Sequence, residues 1–184
     1  MGAPAVPDTG LPDTGGPPVS DVDPFGHPVD LYVMLLYDRR LLFVHNVETG
    51  AWVLPSGTLD IGESPTQGVG RIALDQVAVL VAVSSIYLVH VQHHHDGIRR
   101  RIGLYFQAGR YNGVPAIGNR RKIDRFGWYE PAGLPDSVAP HVAVAVTTWG
   151  KPEFYSECSQ HPDHDSEAGP DAARKRRRPN GTIR

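Results

Sequence analysis

The 184-residue sequence contains a single cysteine, Cys158. One thiol excludes an intramolecular disulfide and any zinc site built from several cysteines. No apolar run approaches the ~20 residues that cross a bilayer as a helix. Residues 1–30 carry no Lys or Arg, so the basic n-region of a secretory signal is absent there. These absences lead to the expectation of a soluble, cytoplasmic protein that does not engage membranes. What the chain has in quantity is turn formers, 20 glycines and 17 prolines, and a length suited to one domain with some unstructured chain.

Charge divides the chain unevenly. Residues 1–30 hold five acids, residues 31–160 hold 12 basic and 11 acidic groups, and residues 161–184 bunch their basic groups as Arg174-Lys175-Arg176-Arg177-Arg178. Both ends are poor in large apolar side chains, and burial there cannot offset ordering entropy. The expected organisation is a disordered leader over 1–28, a folded domain over 29–157 and a disordered tail over 158–184. The basic run has two readings, a solvated tail or a nucleic-acid or targeting element. Nucleic acid is the disfavoured partner, because no aromatic residues are interleaved for base stacking.

The middle alternates strands and helices. Leu31–Tyr37 and Leu41–His45 are apolar runs around Asp38-Arg39-Arg40, the pattern of a hairpin. Ala51–Leu54 is a short strand entering the loop Pro55-Ser56-Gly57. Ser84–His93 and Arg100–Arg110 flank Asp96-Gly97, a type I′ hairpin signal, and Asn112-Gly113 is a second turn of that kind. Phe126–Glu130 reads as another strand. Ser137–Trp149 fits a helix starting near Pro140, although its Val/Ala content also fits a strand. Over Ser64–Val79 the helix start is well marked: Ser64 and Gln67 form a capping box, and Pro65 occupies the first helical position. Gly68 and Gly70 weaken its first turns by about 1 kcal/mol each relative to Ala. Strands around a central helix, with a later one near the end, indicate an α/β class.

The segment from Gly57 to Arg71 has the spacing G-x5-E-x7-R and follows Trp52-Val-Leu-Pro55-Ser56-Gly57. Together with the leading hairpin, the His-rich strand at 90–95, Asn112-Gly113-Val114-Pro115 and Trp128-Tyr129-Glu130-Pro131, this resembles the Nudix hydrolase (MutT-like) family over about residues 30–149. The resemblance implies a Nudix-like α/β/α sandwich with a mixed β-sheet. It also implies a divalent cation, Mg2+ or Mn2+, and a nucleotide-derived small molecule, a nucleoside diphosphate linked to another moiety. A homodimer is among the assemblies left open.

Phosphoric anhydride hydrolysis needs a cation to neutralise oxygen charge and a base to activate water. Helix positions 72, 75 and 76 are related by i+3 and i+4, so carboxylates there would form one acidic ridge. The resemblance carries catalytic roles onto Glu63, Arg71 and Asp75, with Glu63 pairing Arg71, and a metal set onto Gly57, Asp75 and Gln76. The ridge is depleted. Where the family pattern has three Glu, this chain has Ile72, Asp75 and Gln76, its small Gly position is Ala78, and a later acid aligns with Asn119. Canonical-type turnover is therefore expected to be weak, and two functions stand: a hydrolase on a depleted site, or an inactive nucleotide-binding or regulatory module.

Each candidate also has a structural reading. Asp75 is a metal ligand or half of an i,i+4 ion pair with Arg71. Gln76 contacts a phosphate or is an exposed amide. His90, Gln92 and His94 fall on one side of a strand, where His90 and His94 are substrate-binding groups, a replacement for the missing base, or polar residues at a strand end entering the Asp96-Gly97 turn. Arg99, Arg100 and Arg101 form one basic group, and Arg120, Arg121, Lys122 and Arg125 another. Arg99 and Arg101 are the candidates for phosphate contact, against a solvated face. Trp52, Trp128 and Trp149 are read as core or rim packing rather than as a base clamp.

Overall fold

The computed structural model describes residues 26–95 and 100–159. Among these residues, ten strands and two α-helices follow in chain order. They are β1 (Val29–Tyr37), β2 (Arg40–Asn46), β3 (Trp52–Val53), β4 (Ser56–Thr58), α1 (Pro65–Val77), β5 (Leu80–Val81), β6 (Ile86–His95), β7 (Arg100–Ala108), β8 (Tyr111–Asn112), β9 (Ile123–Tyr129), α2 (Pro140–Thr148) and β10 (Tyr155–Ser159). A 3-10 turn at Val83–Ser85 leads into β6.

The main sheet runs β10-β6-β7-β1-β2-β3, with β4 beside β1 and β9 beside β2. It is mixed: β1–β7 and β6–β10 are parallel, whereas β1–β2, β6–β7 and β2–β9 are antiparallel. β1 is the central strand, and Leu31–Leu35 are buried on both faces, as expected for a strand covered by helices on each side. Leu31, Val33 and Leu35 join Leu42, Val44 and Phe106 under α1, through Val69, Ile72, Ala73 and Val77. Tyr32 and Met34 join Leu41, Phe43 and Tyr105 under α2, through Val142, Ala145 and Val146. The alternation along β1 thus separates two cores, and the expected α/β/α sandwich is the observed fold.

The β1–β2 turn is the two-residue Asp38-Arg39, both at positive φ (47° and 64°), with Tyr37 opposite Arg40. That is the type I′ geometry whose twist matches antiparallel strands. The Asp96-Gly97 turn and Arg99 lie outside the described residues, although β6 and β7 pair as far as His95 and Arg100. Asn112-Gly113 is not a hairpin turn. β8 pairs with β5, and Gly113, at φ 102°, turns the chain into a loop over the end of α1. That loop supplies α1 with terminal partners: Ala116 N–H donates to Val77 O and Gly118 N–H to Gln76 O. β10 extends the order beyond the sequence-based reading, which ended its strands at β9.

Candidate functional site

The box begins with a formed cap. Gln67 N–H donates to Ser64 Oγ (3.3 Å), Ser64 N–H donates to Gln67 Oε1 (2.9 Å), and Pro65 opens the helix. Glu63, next to the cap, receives Arg71 in a forked pair: Arg71 Nε donates to Glu63 Oε1 at 2.7 Å and Nη2 to Oε2 at 2.6 Å. Arg71 also donates to Thr58 O at 3.1 Å, and the Asp60 carboxylate stands 3.3 Å from its Nε. One guanidinium therefore fastens the 58–63 loop to the second turn of α1. The Arg71 hydrogen bonds hold the Glu63 carboxyl below the usual range, and the same pairing raises Arg71.

Positions 72, 75 and 76 do not present one ridge. Ile72 and Gln76 are buried, whereas Asp75 is exposed. Ile72 is 2% exposed, and a Cβ placed on Gly57 would lie only 3.3 Å from Ile72 Cγ1. The aliphatic chain therefore fills the space beside the Gly57 backbone. Gln76, expected to be an exposed amide or a cation donor, is 6% exposed instead. Its Nε2 donates to Ser56 O and its Oε1 accepts from Ser56 N–H at 3.1 Å, so both its hydrogen-bonding ends are used by β4. Asp75 is about half exposed. Asn119 Nδ2 donates to both its oxygens at 3.3 Å, and Lys122 Nζ lies 3.7 Å away. The nearest partners of Asp75 are thus on the later loop, not Arg71 one turn earlier. Gly118 explains how close that loop comes: a Cβ there would overlap the Asp75 carbonyl oxygen.

Of the substrate-binding candidates, His90 and His94 lie on the other side of the sheet, beside Tyr105 and His141. A register shift between Leu88 and His90 sets His90 opposite Tyr105 and Gln92 opposite Gly103. His90 is buried in the middle of β6, not at a strand end, and its Nε2 lies 2.8 Å from Ser156 Oγ on β10. Gln92 joins the same serine at 3.0 Å and accepts from Tyr105 O–H at 2.9 Å. His94 packs edge-on against His141, ring centroids 5.0 Å apart, and its Nε2 is buried without a partner among the described residues. Burial lowers the His90 and His94 pKa values and brings His141 down to about 4. Arg101 forms a forked pair with Asp30 and reaches Thr58 Oγ1 at 3.1 Å. Among the described residues, Arg101 and Arg125 do not share one face. Arg101 is on β7, whereas Arg125 is on β9, beyond β1 and β2, where it contacts His45 and lies over the Trp52 ring.

Both the sequence and the fold have known relatives. The chain is 31% identical over 114 residues to a MutT-like protein of Streptomyces ambofaciens, covering 62% of this chain and 70% of that relative. The chain belongs to the MutT-like, or Nudix, family. No family model matches it. Its fold resembles the MutT NUDIX hydrolase of Burkholderia pseudomallei (TM-score 0.61, 21% identity, covering 65% of this chain and 95% of that one). It also resembles the mutator MutT protein of Bacillus halodurans (TM-score 0.62, 15% identity, covering 74% and 92%). At these identities the two structures speak to the fold alone.

The residues present do not fit the Mg2+ or Mn2+ that the family implies. Such hard cations take oxygen ligands, carboxylates above all. Here position 72 offers only carbon, the amide of position 76 is committed to Ser56, and Asp75 already faces Lys122 and Asn119. Among the described residues no three His, Cys, Asp or Glu side chains converge. Gly57, Asp75 and Gln76 are therefore not assembled as one donor set. Glu63 and Arg71 are brought together, and Arg99 lies outside the described residues.

Sequence reasoning missed Asp30, Thr58, His141 and Ser156. Asp30 opens an apolar strand and reads as its polar boundary. Ser156 sits in Tyr-Ser-Glu-Cys-Ser, which has no apolar alternation to mark a strand. Only its register against β6 shows its role.

Proposed function

We propose that this protein is a Nudix-fold module that binds a nucleoside diphosphate linked to another moiety, with little or no turnover through its box helix. The burial of Ile72 beside Gly57 carries this reading. A hydrolase of this type would need a proton acceptor or cation donor on that face, and an aliphatic side chain supplies neither. Losing a general base alone typically costs 10²–10⁴ in rate. The Glu63–Arg71 fork, the cap and the Gly118 contact keep the frame of the box, which supports retention of a shaped surface after loss of the chemistry.

A second reading, residual hydrolysis centred on Asp75, is favoured by one observation: that carboxylate is still half exposed and flanked by Lys122. A panel of nucleoside diphosphate derivatives, incubated with Mg2+ or Mn2+, separates the two. Ligand binding by calorimetry without phosphate or pyrophosphate release supports the module. Release that disappears in Asp75→Asn supports the residual enzyme and overturns the first reading.

A further inference from the structure

Tyr37 closes β1 with its ring 64% exposed, and its centroid lies 5.6 Å from that of Trp128. Beside this pair is a cavity of about 810 Å3 whose walls include Leu36, Tyr37, Arg110, Tyr111, Val114 and Trp128. That volume is within the range of small-molecule sites, which are commonly aromatic-lined with few polar groups. Arg110 is the one charged residue on the wall, and its side chain has no hydrogen bond or ion pair among the described residues.

The wall is braced before any ligand arrives. The Arg110 N–H donates to Ser85 Oγ at 3.2 Å, and the Arg110 carbonyl accepts from Ser85 Oγ (3.1 Å) and from Ala82 N–H (3.0 Å). Val114, 86% exposed, leaves an aliphatic side chain in solvent on the same wall. Three aromatic rings, a guanidinium with no side-chain partner among the described residues, and uncovered apolar surface share one concavity. Rings stack on other planar rings, and the arginine fork matches carboxylate, sulfonate or phosphate oxygens.

We propose that this cavity is a binding site for a planar aromatic molecule bearing an anionic group, the ring held by Tyr37, Tyr111 and Trp128 and the anion by Arg110. β1 meets β4 near Tyr32 but ends at Tyr37, so the cavity is at the opposite end of the strand from Gly57. It therefore takes its ligand whether or not the box region binds a nucleotide.

The test uses the full chain and 8-anilinonaphthalene-1-sulfonate, a planar aromatic sulfonate, in a fluorescence titration. Saturable binding of one probe per chain is expected. Tyr37→Ala and Arg110→Gln change exposed side chains, and each weakens binding at least about five-fold, while Tyr155→Ala on β10 leaves it unchanged. Displacement by guanosine 5′-monophosphate identifies a phosphate ligand, and displacement by 1-naphthoate alone identifies a carboxylate. Affinity unchanged in both cavity variants, equal weakening in Tyr155→Ala, or displacement by neither competitor overturns the proposal.

Discussion

The side chain of Gln76 bonds both backbone groups of Ser56, donating to its carbonyl and accepting from its N–H. A helix residue thereby does for β4 what a neighbouring strand would do. An amide can fill both roles at once, and an ionised carboxylate cannot. Gln76→Glu should keep the acceptor and lose the donor unless the new carboxyl is protonated.

Protonation restores the donor, so in that variant the folded-state pKa of the carboxyl introduced at position 76 lies above its unfolded value of about 4.3. Stability relative to the parent is best below that value and is lost as pH rises through the raised pKa. At neutral pH the loss is about 1–3 kcal/mol, the cost of a buried polar group without its partner. Urea melts of parent and variant at several pH values check this. A variant as stable as the parent at pH 8 would show that Ser56 does not depend on Gln76.

Two glycines in the first half of α1 should respond in opposite directions. Nothing lies within 4 Å of a Cβ on Gly70, so Gly70→Ala gains about 0.5–1 kcal/mol from helix propensity. A Cβ on Gly68 would overlap Leu31 Cδ1 and lie 3.0 Å from Glu63 Oε2, so overpacking of about 1–3 kcal/mol outweighs the same gain. Ala78, where the family pattern has glycine, is left-handed at φ 56°, and Ala78→Gly should stabilise. Thermal midpoints of the three variants test the set. Destabilisation by Gly70→Ala would contradict it.

The histidine pair under α2 gives a pH dependence. His141 falls to about 4 through burial, with His94 adding repulsion and Asp30 opposing it. Its folded pKa is below the unfolded value near 6.5, so the unfolded state binds more protons between those limits. Stability should fall as pH drops from about 6.5 to about 4, by an amount on the order of 3 kcal/mol for a shift of this size. His141→Gln should flatten that stretch of the profile. An unchanged slope in the variant would mean that other groups cause the loss.

Local signals explain what could be read from the sequence. Capping by Ser64 and Gln67, the turn at Asp38-Arg39 and the Glu63–Arg71 pairing each depend on residues close along the chain, and all three appear in the structure. Helical spacing also puts Ile72 and Gln76 together. It does not say that they face inward, because that depends on how near Gly57 and Ser56 approach. Similarly, the period of two puts His90, Gln92 and His94 on one face, but only the β10 register and α2 show that this face is buried. Arg101 illustrates the same limit: its partner, Asp30, is 71 residues away.

The box face of α1 is packed beside Gly57 and Ser56 and, among the described residues, assembles no cation donor set. A Mn2+ titration of the full chain, followed by electron paramagnetic resonance and repeated with Asp75→Asn, tests it most directly. Identical curves are predicted for the two proteins, with no stoichiometric site attributable to the helix. One tightly bound Mn2+ per chain, lost on changing Asp75, would contradict it.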